Sequence, residues 1–171
     1  MRIKRIGIFT SGGDCGGLNA VVRAVTYRAL DKYNWEVFGI RDGTMGLIER
    51  PLQYEKLTKN NFTGNLIRQG GTFLGTTSKG NPFRFRMKDG SYKDRSNEII
   101  EGYKMLKLDA FIGIGGDGSM KILKKLSQRG NLNFVGIPKT IDNDVDSTEI
   151  SIGYDTAVEV ATHALDMLQP T

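Results

Sequence analysis

The stretch Asp109-Ala110-Phe111-Ile112-Gly113-Ile114-Gly115-Gly116-Asp117-Gly118-Ser119 decides the fold. Asp109 to Ile114 form a short, nearly unbroken apolar run, the mark of a strand buried on both faces. The run ends in glycines. Beyond it Met120, Leu123 and Leu126 recur at helical spacing, and Gly130 stands where a C-terminal cap is expected. The same order opens the chain. Ile6-Gly7-Ile8-Phe9-Thr10 reads as a buried strand, Ser11-Gly12-Gly13-Asp14-Cys15-Gly16-Gly17 as a turn, and Leu18, Val21, Val22, Val25 and Ala29 as one apolar helical stripe.

The pattern extends in both directions. Glu36–Ile40 is a second strand, ending in the turn-rich Arg41-Asp42-Gly43. Ile99, Ile100, Tyr103 and Leu106 mark a helix, and Asn133–Ile137 a strand cut by Pro138. A last helix is expected from about Thr156 to Leu168, with Ala157, Ala161, Ala164, Leu165 and Leu168 on one face. Between Asn60 and Asp94 the chain is irregular, except that Phe83, Phe85 and Met87 alternate with Arg84, Arg86 and Lys88 before Asp89-Gly90, a β-hairpin signal. The expected class is therefore α/β: a largely parallel, Rossmann-like sheet sandwiched between helices, with a small β-hairpin insertion.

Composition narrows the chemistry. One Cys excludes an intramolecular disulfide framework and a Cys-rich zinc site, and His163 alone cannot supply a three-histidine metal centre. Lys+Arg 24 against Asp+Glu 19 gives a net charge of +5, too dispersed to announce nucleic-acid binding and compatible with an anionic small molecule. Nothing approaches 18 uninterrupted apolar residues and no secretion signal is recognisable, so no membrane partner is expected and the location is read as cytoplasmic. Glycine is the outlier at 22 of 171, against a usual share of ~7%, with no repeat or linker to absorb it. It concentrates instead in Gly12-Gly13, Gly70-Gly71 and Gly115-Gly116-Gly118.

In open α/β sheets, ligands bind beyond the carboxyl ends of the strands. Three loops in that position carry polar chemistry: Gly12-Gly13-Asp14, Gly115–Ser119, and Pro138-Lys139-Thr140-Ile141-Asp142-Asn143-Asp144. Glycines at a helix start let backbone N–H groups approach a phosphate with no Cβ between them. A tight βα turn is the plain alternative for any one loop, but two such loops, each with an Asp, favour phosphate. Gly113–Gly118 also matches G-x-G-x-x-G, yet the next strand runs into Pro138-Lys139 rather than an acidic residue for a ribose, which argues against a nicotinamide cofactor. In the third loop a carboxylate of Asp142 or Asp144 can accept a hydroxyl proton, and Asp117 can hold Mg²⁺ directly or through water. Lys139 can offset phosphate charge. An Asx-rich turn remains the structural alternative for residues 142–144.

Ser11-Gly12-Gly13-Asp14 with Leu18-Asn19-Ala20, then Gly70-Gly71-Thr72-Phe73-Leu74-Gly75, Gly115-Gly116-Asp117-Gly118-Ser119 and Pro138-Lys139-Thr140-Ile141-Asp142-Asn143-Asp144, occur in the order of the 6-phosphofructokinases. The chain resembles that family over nearly its whole length. Gly-Gly-Asp-Gly-Ser alone is shared with NAD and lipid kinases; the loop at 138–144 separates phosphofructokinases from them. The resemblance implies Mg²⁺-dependent phosphoryl transfer from ATP to the 1-hydroxyl of fructose 6-phosphate. Asp142 then looks like the base, with Thr140 and Ile141 in the same substrate loop and Asp144 orienting it. Asp117 looks like the Mg²⁺ residue. Gly12, Lys79, Gly80, Gly116, Asp117, Gly118 and Ser119 fall at nucleotide-binding positions.

Two residues bear on the donor. Gly118 goes with ATP in this family, because a carboxylate there would repel the α-phosphate, whereas Lys139 goes with pyrophosphate. ATP is the expected donor and pyrophosphate the alternative; a non-catalytic nucleotide-binding or regulatory subunit is the alternative of another class. Arg23 matches one arginine of the bacterial effector helix, but Tyr27 replaces the next. Family subunits are about twice this length and assemble as homo-oligomers. Residues 1–171 are accordingly expected to be the donor-binding half, with little turnover in isolation. His163 and Trp35 are read as structural, and Cys15 as a non-catalytic thiol in a helix-opening loop that could lower its pKa. The basic hairpin is read as a solvated face, or else a phosphate clamp.

Overall fold

The computed structural model describes residues 4–78 and 80–169. Its centre is a five-stranded sheet built from β1 (Arg5–Ser11), β2 (Glu36–Ile40), β3 (Tyr54–Leu57), β6 (Ala110–Gly115) and β7 (Phe134–Pro138), in the order β3-β2-β1-β6-β7. Only β3 runs antiparallel to its neighbour. The strands β4 (Phe85–Arg86) and β5 (Tyr92–Lys93) form the expected hairpin, closed by Met87 N–H donating to Ser91 O at 2.8 Å. The expected largely parallel α/β sheet with a hairpin insertion is what the chain adopts.

Helices cover both faces because successive strand residues point to opposite sides. Ile6 and Ile8 of β1 join Leu18, Val22 and Ala29 of α1 (Leu18–Tyr33) in one apolar cluster. Phe9 turns the other way, into a cluster with α2 (Met45–Ile48), α3 (Ser96–Met105) and α4 (Asp117–Gly130). There Phe111 stacks between Phe9 and Phe134, with ring centroids 5.8 and 5.0 Å apart. Gly7 leaves room for Leu108, whose side chain would lie 2.8 Å from an added Cβ.

One local expectation is corrected. Gly130 is not the cap of α4: Asn131 takes the left-handed conformation at φ 49°, and Gly130 is the last helical residue, where a Cβ would strike Ile100 and Leu132 at 2.9 Å. The final helix, α5 (Tyr154–Leu168), has the expected apolar face but buries none of its described residues. Its first turn touches Gly16 through Thr156, and beyond it Val158, Val160, Leu165, Met167 and Leu168 are exposed. His163 lies on this exposed helix, and Trp35 packs against the α1-side cluster and stacks on Tyr33. Among the described residues no helix is long and apolar enough to cross a membrane.

Candidate functional site

Sheet register aligns the polar loops. Ser11, Gly115 and Pro138 are partners across β1, β6 and β7, so the residues that follow them, Gly12, Gly116 and Lys139, emerge side by side at the carboxyl edge. From β1 the chain turns to β2 on one side, and later returns as β6 on the other. Loops leaving β1 and β6 therefore diverge, which opens a crevice between them.

A cleft of about 470 Å³ fills that crevice. Its lining includes Ser11, Gly12, Gly13, Gly116, Gly118, Ser119 and Lys139, together with Thr44, Thr77, Ser78, Gly80, Asn81, Pro82, Ile122 and Leu123. No described lining residue carries a carboxylate. Gly12 sits at φ 92°, a left-handed conformation that favours glycine. The neighbouring segment holds that turn: Gly12 N–H donates to Thr77 O at 3.0 Å, and the Thr76 hydroxyl to Gly12 O at 2.7 Å.

On the other wall Ser119 Oγ donates to Ser11 Oγ at 3.0 Å, joining the start of α4 to the end of β1. Gly115 permits this approach, since a Cβ there would lie 2.6 Å from that of Ser119. Lys139 N–H donates to Gly115 O at 3.0 Å. Its side chain is 7% exposed, and its ammonium donates to Gly13 O. A Lys ammonium has three donors, so two remain for an anion. The N-terminus of α4 adds its dipole to the same cleft. The cleft thus has the features of an anion cradle, with Pro82, Ile122 and Leu123 adding apolar lining.

Of the expected site residues, Gly12, Gly80, Gly116, Gly118, Ser119 and Lys139 meet in this cleft. Lys79 lies outside the described residues. Asp117 is the first residue of α4 and does not line the cleft; Gly118 and Ser119 belong to the same helical turn rather than to a loop. The Asp117 carboxylate accepts from Lys121 Nζ at 2.6 Å, and this bond holds the Lys121 ammonium above the ordinary lysine range. Gly70 and Gly71 also stay outside the cleft: Gly71 faces the Asp14 carboxylate. Cys15 reverses its expectation, because burial pushes its thiol up despite the nearby Lys139 charge. The hairpin cations are exposed and outside the cleft, and Arg84 lies over Tyr92 at 4.4 Å, as on a solvated face.

Thr140, Ile141, Asp142 and Asp144 form a separate loop beside Lys139. Asp142 N–H donates to Thr140 Oγ1 at 3.1 Å, and that hydroxyl donates to Asp144 Oδ1 at 3.3 Å. The turn is therefore closed on itself, with the Asp142 residue exposed at its tip. Sequence reasoning missed Thr44, Asn81, Pro82 and Ile122 as cleft residues. Thr44 follows the carboxyl end of β2, a position that the ligand rule for open sheets could have flagged. Asn81 and Pro82 lie in the irregular segment and gave no signal.

The family model for phosphofructokinase matches residues 5–171. The chain belongs to the phosphofructokinase family. An ATP-dependent 6-phosphofructokinase 1 of Synechocystis is 60% identical over 169 residues, which are 99% of this chain and 46% of that protein. A protein of the same name from Nostoc is 61% identical over 168 residues, which are 98% of this chain and again 46% of that one. The solved phosphofructokinase of Saccharomyces cerevisiae superposes with a TM-score of 0.81 at 25% identity, over 98% of this chain and 24% of that one. The chain thus spans about half the length of the curated phosphofructokinases it matches.

Proposed function

We propose that the polypeptide to which this chain corresponds is an ATP-dependent 6-phosphofructokinase, and that residues 1–171 form its donor-binding half. It transfers the terminal phosphoryl group of ATP to the 1-hydroxyl of fructose 6-phosphate. The observation that carries this reading is the shared edge: a carboxylate-free anion cradle ending at Lys139, continued directly by the loop that presents Asp142. Phosphoryl transfer asks a protein mainly to position groups and offset charge.

In this reading the backbone around Gly12, Gly116, Gly118 and Ser119 receives the donor phosphates, and Lys139 offsets their charge. Gly80 borders the nucleotide, and Pro82 and Ile122 meet its less polar part. Thr140 and Ile141 face the sugar. Asp142 takes the proton of the attacking hydroxyl, while Asp144 keeps the Thr140 hydroxyl turned toward the Asp142 backbone.

Among the described residues no three His, Cys, Asp or Glu side chains gather as a metal site. Mg²⁺ in phosphoryl-transfer sites commonly uses one or two carboxylates with waters and substrate phosphates, so the single Asp117 at the cradle's edge fits it. Asp117 would hold the ion in exchange for Lys121. When bound, Mg²⁺ supplies charge neutralisation at the phosphates.

Gly118 supports ATP over pyrophosphate, since no carboxylate stands there, and the cleft exceeds what a bare diphosphate needs. Lys139 is the observation that favours pyrophosphate. The exposed face of α5 supports the reading that these residues work against further polypeptide, as in a homo-oligomer. Steady-state assay of the full-length protein with fructose 6-phosphate decides among these. Turnover with ATP is expected; turnover with pyrophosphate alone would replace the donor, and binding of ATP without turnover would leave a regulatory subunit.

A further inference from the structure

We propose that Asn143 is the positioning residue for Asp142, acting as a clasp that fixes the turn on which the carboxylate is presented. The inference rests on the kinase reading above and adds a residue to it.

The loop from Thr140 to Ser151 is closed at its base by the backbone. Ile152 N–H donates to Pro138 O at 3.0 Å, and Thr140 N–H to Ile152 O at 3.1 Å. These bonds hold the ends and leave the tip, residues 141–150, without sheet support. Within the tip, the bonds of Thr140 to Asp142 and Asp144 shape the turn but tie it only to itself. Asn143 supplies the tie across the loop. Its Nδ2 donates to Glu149 O at 3.1 Å, and its Oδ1 accepts from Ser151 N–H at 2.9 Å. Ser151 is 2% exposed, so the clasp is anchored on a buried residue.

Backbone conformation explains why asparagine suits the position. Asn143 has φ 52°, in the left-handed region, which asparagine enters more readily than most residues. That twist sends the Asn143 side chain toward the 149–151 segment while Asp142, its chain neighbour, stays exposed. Both ends of one amide are used, one as donor and one as acceptor. Aspartate can keep only the Ser151 bond; glycine keeps the backbone and loses both bonds. Misplacing a catalytic group by ~1 Å can cost about a hundredfold in rate.

The test uses the full-length protein, with fructose 6-phosphate and ATP. Its unmodified form must first turn over; absence of turnover there defeats the kinase reading rather than the clasp. Asn143→Gly is expected to lower kcat by about tenfold to a hundredfold while the KM for ATP stays within about twofold, because the donor cradle does not depend on the clasp. Asn143→Asp, which keeps the Ser151 bond, is expected to recover part of that loss. A kcat within about twofold of the parent in Asn143→Gly would overturn the proposal. So would a rise in the KM for ATP that matches the fall in kcat, or a loss in Asn143→Asp as deep as in Asn143→Gly. Should Asn143→Gly fail to fold, Asn143→Asp alone decides: kcat reduced at least about threefold with unchanged KM for ATP supports the clasp, and an unchanged kcat overturns it.

Discussion

The ammonium of Lys139 donates to the backbone carbonyl of Gly13 at 2.5 Å, across 126 positions of sequence. This contact joins the loop after β7 to the turn after β1 and leaves a nearly buried positive charge beside Gly12 in the cleft. Lys139→Met keeps the apolar stem and removes the charge. Hydrogen bonds to charged groups contribute about 1.5–3 kcal/mol. Binding of ATP to the full-length protein should therefore weaken about tenfold to a hundredfold, as read by calorimetric titration; affinity unchanged within twofold would remove Lys139 from the donor site.

Substitution at Gly118 is expected to separate donor recognition from folding. An added Cβ at Gly118 meets no atom within 4 Å, and an acidic side chain in the first turn of α4 is favourable to the helix. Gly118→Asp should leave the unfolding midpoint within about 2 °C of the parent. ATP affinity should drop about tenfold or more, because the new carboxylate faces the phosphates. A large loss of stability, or full ATP affinity, would count against the cradle as described.

Gly115 is the opposite case. A Cβ there would collide with Ser119 at 2.6 Å and approach Ser11 O at 3.1 Å, both parts of the cradle wall. Gly115→Ala should cost about 1–3 kcal/mol in denaturant unfolding and also weaken ATP, since the first turn of α4 has to shift. Retained stability together with retained affinity would show that the wall is looser than the contacts require.

The sequence made the sheet legible because its central strands are continuous apolar runs ending in glycine, a pattern with one common structural meaning. Strand β3 escaped notice: Tyr54–Leu57 is an edge strand whose only buried residue is Leu57, so its pattern is too weak to read. The site was legible where glycines mark it, at Gly12, Gly116 and Gly118. It was not legible where a side chain chooses between partners. Nothing local to Asp117 says that its carboxylate bonds Lys121 rather than lining the cleft. The apolar stripe of α5 is legible as a stripe, but a stripe does not reveal whether the helix packs it, and none of the described α5 residues is buried.

Asp94 is expected to contribute to the acid stability. Its carboxylate accepts from Ser96 and from Arg129 Nη1, and these bonds lower its pKa from 3.8 to about 2. A carboxylate depressed in the folded state stabilises fully above its unfolded pKa, and that stabilisation disappears as pH falls through the folded value. The unfolding midpoint should thus decline between pH ~4 and ~2, and Asp94→Asn should flatten this part of the profile. An identical acid limb in the variant would assign the decline to other groups.

The most direct test of the phosphoryl-transfer mechanism is the kcat of Asp142→Asn in the full-length protein, with fructose 6-phosphate and ATP. The substitution keeps size and polarity, removes the carboxylate proposed as proton acceptor and leaves the cleft residues unchanged. A positioned general base is worth about 10²–10⁴ in rate, so kcat should fall at least a hundredfold with the KM for ATP nearly unchanged. A kcat within about threefold of the parent would contradict the assignment of Asp142 as the base.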